Sequence, residues 1–207
     1  DFLILQKHKQ PIPFAYTYYF LISWLYRYAK YWEYPIDVQT IKRTLGYHEN
    51  YKPINQLIKK DGLLDQIGYT ISDTNFPIGW EFDDNEIQFI YIKDSQPQNR
   101  NKILKKVGRN YKIKIPVKGI WRNKESQEED YHDGTFYDLA YTHEMTMDLF
   151  QLCMNDSQLG CTAFYIYGYL KYRCDKYGTY HSSLERLGEE IGLGKNTINK
   201  YTLQMEK

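Results

Sequence analysis

The stretch LERLGEEIGLGKNTINKYTLQM, residues 184–205, decides the fold. Its apolar residues recur at helical spacing on both sides of the triplet Gly192-Leu193-Gly194, whose glycines are typical of a turn. Ser182 or Ser183 is placed to cap a helix over Leu184–Ile191. A second helix opens at Asn196 or Thr197 and runs to the end of the sequence. The pattern L-x-x-x-I-G-L-x-x-x-T-I, which begins at Leu187, therefore indicates a helix-turn-helix.

The chain repeats itself at a shift of 146 positions. Identical pairs at this shift include Tyr19/Tyr165, Tyr26/Tyr172, Arg27/Arg173, Lys30/Lys176, Tyr31/Tyr177, Tyr34/Tyr180, Gly46/Gly192 and Asn50/Asn196. The apolar residues Val38, Ile41 and Leu45 likewise fall on Leu184, Leu187 and Ile191. We interpret the match as a duplicated fold, each copy being a long apolar helix followed by a helix-turn-helix. The alternative is a chance match caused by the tyrosine-rich composition.

The first copy predicts three helices and a hairpin. The helices are Tyr16–Trp32, Val38–Leu45 and a third from Asn50, its N-cap, to about Lys60. Gly46-Tyr47 supplies the turn, and Pro53 falls in the first turn of the third helix, where its missing N–H does no harm. The stretches Leu63–Ile71 and Trp80–Ile92 have strand character. A helix, a helix-turn-helix and then a two-stranded hairpin is the order of a winged helix.

The remaining periodicities complete the predicted fold. They indicate helices over Lys102–Val107, Met145–Met154 and Cys161–Lys176, and a strand over Ile113–Val117 with a wet face and a partner at Phe136–Tyr141. The fold class is mainly α with small β-wings (α+β): two tandem winged-helix/helix-turn-helix modules joined by a basic connector. The modules are residues 1–94 and 135–207, and the connector is residues 95–134. No wing follows the second module, so either the chain is a fragment or this module has lost its wing, and we favour a fragment.

The net charge of +1 hides strong charge blocks. Residues 96–124 carry ten basic side chains and no acidic one, whereas residues 125–160 carry nine acidic side chains and no basic one. A second acidic block, residues 73–94, has six acids against Lys93. A basic stretch between two helix-turn-helix modules favours contact with the phosphates of double-stranded DNA, since neutralising phosphates releases counterions. The alternative is that basic and acidic blocks of the chain pair with each other or are only solvated.

These patterns give three sets of candidate DNA-binding residues. The recognition helix of the second module presents Lys195, Asn196, Thr197, Asn199, Lys200 and Gln204. The first module presents His48, Asn50, Lys52, Asn55, Gln56 and Lys59. The connector supplies phosphate contacts through Arg100, Lys102, Lys105, Lys106 and Arg109. Asn and Gln can pair with adenine and Lys with guanine in the major groove, although the same residues also make an ordinary polar helix surface.

Enzyme motifs fail on inspection. The stretch from Gly194 to Thr197 lacks the first glycine of a phosphate loop, because Glu189 stands there, and it has Asn196 in place of Ser or Thr. His143-Glu144 lacks the second histidine of a zinc motif. We therefore expect no catalytic residue, no metal and no cofactor.

Membrane and redox signals are equally weak. No run of 18 or more apolar residues is present, so we expect no membrane contact. The three cysteines, Cys153, Cys161 and Cys174, lack C-x-x-C pairing, and we expect buried reduced thiols in a cytoplasmic protein.

In architecture, and in the stretch Leu184–Tyr201, the chain resembles the tandem winged-helix replication initiators of plasmids and phages, of the type found in low-GC Gram-positive bacteria. The resemblance covers residues 16–92 and 161–207. It implies binding to origin repeats, a homodimer and contact with replication proteins. A phage or plasmid transcriptional regulator that binds an operator needs the same two modules, and a protein-docking scaffold is a third interpretation, because trihelical folds serve that role too.

Overall fold

The computed structural model describes residues 3–7, 11–83, 86–121, 124–130 and 143–206. Twelve helices lie in these ranges: α1 (Leu3–Lys7), α2 (Ile12–Arg27), α3 (Val38–Thr44), α4 (Asn55–Ile58), α5 (Leu63–Gln66), α6 (Pro97–Val107), α7 (Val117–Ile120), α8 (Lys124–Glu128), α9 (Met147–Asn155), α10 (Gly160–Tyr177), α11 (Leu184–Ile191) and α12 (Lys195–Met205). Four strands accompany them: β1 (Ile71–Asp73), β2 (Pro77–Asp83), β3 (Glu86–Tyr91) and β4 (Ile113–Ile115). The described chain is therefore mainly helical with two small sheets, which confirms the α+β class.

The chain divides into two compact units, and neither is a continuous segment. Unit 1 comprises Asp1–Tyr18, Gln39–Ile54 and Asp138–Lys207, and unit 2 comprises Tyr19–Val38 and Asn55–Tyr137. The predicted boundaries near residues 94 and 134 concern which parts fold independently, and they stay a prediction.

The core of unit 1 is built around α10. The ring of Phe164 is fully buried, meets Phe150 of α9 edge-on at 5.7 Å and lies 5.8 Å from Tyr16 of α2. The hydroxyl of Tyr165 donates to the carbonyl of Ile191 over 3.0 Å and so ties α10 to the end of α11. Aromatic rings thus contribute to the buried area of this unit, while a tyrosine hydroxyl satisfies a buried helix-end carbonyl.

Tyrosines also connect ring burial with backbone hydrogen bonds in unit 2. The Tyr31 hydroxyl donates to the carbonyl of Lys114 over 2.9 Å, and the Tyr19 hydroxyl donates to the carbonyl of Pro116 over 3.0 Å. Tyr26 is fully buried. The apolar bodies of these rings fill the core while the hydroxyls fix the backbone of β4 and of the residue that follows it.

The sheets differ from the predicted hairpin. Leu63–Gln66 is helix α5 rather than part of a strand, because Leu63, Leu64 and Ile67 have helical spacing. The predicted strand Trp80–Ile92 contains most of a hairpin: β2 and β3 pair antiparallel, with Trp80 opposite Phe89. Asp and Asn, the residue types at positions 84 and 85 of the sequence, are common in turns, and the strand prediction did not take this signal into account.

The second sheet joins β1 to β4, with Ser72 opposite Lys114. Ile113 and Ile115 are buried as predicted, but the wet face is wrong at Lys114, whose side chain is only 10% exposed. Its ammonium group pairs with the carboxylate of Asp65 and donates to the carbonyl of Lys59 over 3.0 Å. The partner predicted for this strand, Phe136–Tyr141, lies outside the described residues.

The two copies of the repeat agree in the first helix of the helix-turn-helix and in the turn that follows it. Helix α3 and helix α11 begin at equivalent residues, and Gly46 and Gly192 have the same left-handed backbone, with φ of 77° and 75°. Positive φ favours glycine because a Cβ atom would collide with the backbone there. The local structure thus agrees with duplication over this segment.

The copies differ in the helix that follows. The predicted helix from Asn50 to Lys60 is wrong in length, since only the single turn α4 is helical. Pro53 explains the difference, because a proline disfavours the helical conformation in the preceding residue, here Lys52. Asn50 therefore caps no helix at this position.

The cysteines follow the prediction in two of three cases. Cys153 and Cys161 are buried, and burial raises the pKa of both thiols, to about 11 and about 12. Cys174 is exposed, which corrects the expectation of a buried thiol. It lies in the last turn of α10, where residues 174–177 are all exposed.

His143 lies against α2 and α10 within unit 1. Its Nε2 atom is 2.7 Å from the hydroxyl of Tyr16, and its ring centroid is 5.9 Å from that of Tyr172. Burial lowers the pKa of His143 below 6.5, the nearby Asp175 raises it and Lys171 lowers it. The folded state therefore favours the neutral form of this ring more than the unfolded chain does.

This environment predicts a loss of stability in weak acid. Well above pH 6.5 the ring is neutral in both the folded and the unfolded state and contributes no pH dependence. As the pH falls below 6.5, the unfolded chain binds the proton first, so the free energy of unfolding declines until the pH passes the lowered pKa. Urea unfolding at a series of pH values should show this decline in the wild type and a smaller one in His143→Gln. An equal decline in both would contradict the assignment, and His48→Gln, at an exposed position, serves as the control.

Candidate nucleic-acid interface

Helices α11 and α12 form the predicted helix-turn-helix. Ser183 is the N-cap of α11, because its hydroxyl accepts a hydrogen bond from the backbone N–H of Arg186. Gly192 ends α11 in the left-handed conformation, and Gly194 is the N-cap of α12. Ile191 and Ile198 are fully buried and hold the two helices together. The local signals of the sequence are thus confirmed at each boundary to within one or two residues.

Gly188 permits the close approach of the turn, and sequence reasoning missed it. A Cβ atom at this position would lie 2.5 Å from the carbonyl oxygen of Leu193 and 3.4 Å from Cδ1 of Ile198. The backbone N–H groups of Gly192 and Leu193 both donate to the carbonyl of Gly188, over 2.8 and 3.1 Å. Only glycine leaves room for this approach, so Gly188 sets the distance between α11 and the turn. The sequence signal that could have identified Gly188 is its position four residues before the turn glycine Gly192.

The exposed face of α12 is a narrow polar stripe. Asn196, Asn199 and Lys200 are exposed, and their i, i+3, i+4 spacing places them on one face of the helix. Leu203, one further turn along this stripe, is 52% exposed. Sequence reasoning passed over Leu203, because an apolar residue in an amphipathic helix is assigned to the core by default.

Three other predicted contacts of α12 are partly engaged within unit 1. The ammonium group of Lys195 pairs with the carboxylate of Glu185 on α11, and this hydrogen bond lowers the pKa of Glu185. The amide nitrogen of Gln204 donates to Oε1 of Gln158 over 3.2 Å. Thr197 is half-buried. The freest groups of the second module are therefore the two asparagines and Lys200, whose ammonium group lies 5.2 Å from the Tyr201 ring centroid.

A charged and aromatic network anchors α11 to α10. The carboxylate of Glu190 accepts hydrogen bonds from the hydroxyls of Tyr169 and Tyr180 over 2.5 and 2.6 Å and from Nε of Arg186 over 3.1 Å. These bonds, that of Tyr169 first, hold the pKa of Glu190 at about 2. The guanidinium of Arg173 lies 4.5 Å from the centroid of the Tyr180 ring. The network fixes the helix from which the turn and α12 project.

The predicted DNA-binding residues of the first module are divided between the two units. His48, Asn50 and Lys52 are exposed residues of unit 1, and His48 Nδ1 accepts a hydrogen bond from the backbone N–H of Asn50. The other three, Asn55, Gln56 and Lys59, belong to unit 2. Gln56 and Lys59 are exposed, whereas Asn55 is half-buried. Because α4 is a single turn, these residues do not share one long recognition helix.

The predicted phosphate contacts lie on and directly after α6, in unit 2. All five side chains are exposed: Arg100, Lys102, Lys105, Lys106 and Arg109. Lys102, Lys105 and Lys106 have i, i+3, i+4 spacing and share one face of the helix. In the part of the chain that the structure describes, none of the five forms an ion pair with a carboxylate. Among the described residues, then, the pairing of this block with acids of the same chain is not seen.

Other members of the basic block have structural partners. Lys114 is buried against Asp65, Lys118 lies over the ring of Tyr69 at 4.6 Å, and Lys124 pairs with Glu128 at 3.5 Å. The block therefore contains one nearly buried lysine, Lys114, two exposed lysines with an aromatic or acidic partner, and the five exposed cations on and directly after α6, here called the α6 segment.

Helix α6 also borders a pocket of about 360 Å³ within unit 2. Its lining consists of Trp32, Ile78, Asn99, Lys102, Ile103 and Lys106. The indole N–H of Trp32 donates to the carbonyl of Ile78 over 3.1 Å, and the ammonium group of Lys106 lies 5.6 Å from the centroid of the indole ring. Sequence reasoning could not have found this pocket, because its residues come from three separate stretches of the chain.

In the described residues, no group of three or more His, Cys, Asp or Glu side chains is arranged to hold a metal ion. Within the same ranges, no helix combines the length and the apolar character needed to cross a membrane. Comparison with protein-family models, with curated proteins and with solved structures finds no match.

Proposed function

We propose that this protein binds double-stranded DNA in a sequence-specific manner, with α12 as its main recognition helix. The observation that carries the proposal is the exposed stripe of Asn196, Asn199 and Lys200 on a helix held by a glycine turn. A helix of this diameter fits the major groove of B-DNA, where Asn reads adenine and Lys reads guanine through hydrogen bonds to base edges. Leu203 adds an apolar side chain that can contact a thymine methyl group.

The α6 segment adds the charge that such a protein needs. Its five exposed cations have no carboxylate partner among the described residues, so phosphates can take that place without breaking an ion pair. Such contacts set affinity and its salt dependence but carry no sequence information. The first module contributes further contacts through Lys52 and Lys59, which are exposed.

The biological role follows from the resemblance rather than from the geometry. We propose a cytoplasmic plasmid or phage replication initiator that binds origin repeats as a homodimer and recruits replication proteins. A transcriptional regulator at an operator would use the same helix, and a docking scaffold would use the same exposed faces for proteins. A neighbouring array of direct repeats in the source genome supports the initiator, and a divergent promoter supports the regulator.

Removing two groups from the α12 stripe should impair sequence recognition. We expect Asn199→Ala with Lys200→Ala to cost about 1–3 kcal/mol for each side chain that no longer reaches a base edge, and to relax the preferred sequence. The measurement is selection from a randomised duplex library, followed by gel shifts on the selected duplex. The matched control is Gln151→Ala with Lys176→Ala, which removes the same kinds of group from exposed positions of α9 and α10.

Two outcomes would separate the alternatives. Normal binding of the selected duplex by the α12 variant would refute α12 as the recognition helix. Replacing Lys52 and Asn55 with alanine should weaken binding at another part of the site, and a footprint unchanged there would remove the first module from the interface. Failure of the wild-type protein to enrich any duplex would refute the proposed function itself.

Neutralising part of the α6 segment should change the salt dependence. The slope of log K against log salt falls by about 0.9 for each phosphate that the protein no longer neutralises. We therefore expect the triple variant Lys105→Gln, Lys106→Gln and Arg109→Gln to bind selected and random duplexes more weakly to the same extent. Its slope of log K against log salt should also be flatter. Lys124→Gln, which removes a cation already paired with Glu128, is the control. An unchanged affinity and slope in the triple variant would show that the segment makes no phosphate contact.

A further inference from the structure

The pocket beside α6 combines apolar walls with a positively charged rim. Trp32, Ile78 and Ile103 provide the walls, and Asn99, Lys102 and Lys106 provide the rim. Its volume of about 360 Å³ lies at the small end of the range of about 300–1,000 Å³ for small-molecule sites. The lining therefore suits one small ligand with a flat apolar part and an anionic part.

The aromatic wall is held in place before any ligand arrives. The hydrogen bond from the indole N–H of Trp32 to the carbonyl of Ile78 fixes the ring at the edge of β2. Lys106 donates to the carbonyl of Glu33 over 3.0 Å while it lies near the same ring. A preorganised aromatic wall lowers the entropic cost of binding a planar group.

The charge around the pocket favours an anion. No acidic side chain lines it, and the carboxylate of the neighbouring Glu33 is taken up by Lys30, at 2.8 and 2.9 Å. Among the described residues, Lys102 forms no ion pair and Asn99 makes no side-chain hydrogen bond. The two groups can therefore face a ligand without giving up a partner, the amide towards the edge of a base and the ammonium group towards a phosphate.

We propose that this pocket binds a nucleotide, with the base against Trp32 and its phosphate between Lys102 and Lys106. Stacking on an aromatic ring beside a positively charged surface is how proteins hold unpaired bases. The nucleotide is either free in solution or an unpaired residue of a DNA strand whose further phosphates follow α6. The second source rests on the proposed function, whereas the first is independent of it.

The probes are deoxyadenosine monophosphate, deoxyadenosine, inorganic phosphate, a single-stranded deoxyadenosine oligonucleotide and the selected duplex, each titrated by calorimetry. We expect the monophosphate to bind more tightly than deoxyadenosine or phosphate alone, because only the monophosphate uses both walls and rim. Trp32→Leu should weaken binding at least about fivefold, the lower end of what the loss of one base–aromatic stack costs, and Trp32→Phe should restore part of it. Thermal unfolding checks that each variant remains folded.

Matched controls make the site specific. Lys102→Met should weaken binding of the monophosphate. Lys105→Met, on the same helix but outside the pocket, should leave that binding unchanged. Trp80→Leu, at an exposed tryptophan of the hairpin, should also leave binding unchanged. Equal losses in Lys102→Met and Lys105→Met would overturn the pocket in favour of general attraction by the basic helix.

The probes also separate this proposal from the proposed function. Monophosphate binding that depends on Trp32, in a protein that selects no duplex, supports the pocket as a free-nucleotide site and refutes the duplex function. If the single strand binds in a manner that depends on Trp32 and the monophosphate does not bind, the ligand is an unpaired residue of a strand. Duplex binding without Trp32-dependent binding of either probe overturns the pocket and leaves the duplex function standing.

Discussion

Replacing Asp65 with alanine should lower the free energy of unfolding by about 3–5 kcal/mol, the cost of removing one partner from a buried ion pair. The side chains of Lys114 and Asp65 are 10% and 14% exposed, so solvent replaces little of the missing interaction. The carboxylate also accepts the backbone N–H of Asp61 over 2.9 Å and the hydroxyl of Thr70. All three donors lose their acceptor at once.

Urea denaturation, followed by tryptophan fluorescence, measures this effect. Glu128→Ala breaks the exposed pair with Lys124 and should cost less than about 0.5 kcal/mol. In a double-mutant cycle, Lys114→Met should make the further loss from Asp65→Ala smaller than in the wild type, because no buried ammonium group is then left unpaired. Additive losses would show that the two groups do not stabilise each other.

Adding a side chain at Gly188 should destabilise the helix-turn-helix by about 2 kcal/mol, within the usual cost of overpacking. The atom that blocks a Cβ there is a backbone carbonyl oxygen, that of Leu193, which cannot rotate away as a side chain can. A Cβ atom at Gly194, by contrast, would meet no atom within 4 Å, and Gly194 stands at the N-cap of α12. Because serine is a favoured N-cap, Gly194→Ser should leave stability unchanged or raise it by a few tenths of a kcal/mol.

The same substitution six residues apart thus has two different expected results. Thermal unfolding of Gly188→Ser and Gly194→Ser measures both, and the circular dichroism of each folded variant reports the helix content. Equal stability of the two variants would contradict the close approach at Gly188. Under the proposed function, Gly188→Ser should also weaken duplex binding although Gly188 presents no side chain to DNA.

Local signals were sufficient for the C-terminal helices. The cap at Ser183, the glycine at Gly192 and the apolar spacing act within one or two turns, so α11 and α12 could be predicted almost to the residue. The same signals failed at α4, because the conformational limit that Pro53 places on Lys52 outweighed helical spacing. Sequence reasoning counted only the missing N–H of the proline.

Long-range pairing could not be derived in this way. The partner of β4 is β1, which lies far from it in the sequence. The alternation around Lys114 predicts a solvent-exposed strand face, and only the ion pair with Asp65 of α5 shows why Lys114 is nearly buried. The candidate interface shows the same limit. The exposure of Asn199 and Lys200 follows from helical spacing, whereas the hydrogen bond between Gln204 and Gln158 depends on packing between distant stretches.

The discontinuous make-up of the two units bears on the order in which the chain is made. Every residue of unit 2 lies between Tyr19 and Tyr137, whereas the last and longest segment of unit 1 begins at Asp138. During synthesis from the N-terminus, unit 2 therefore has all its residues first. The segments of unit 1 up to Ile54 are therefore made well before α9 to α12, which complete that unit.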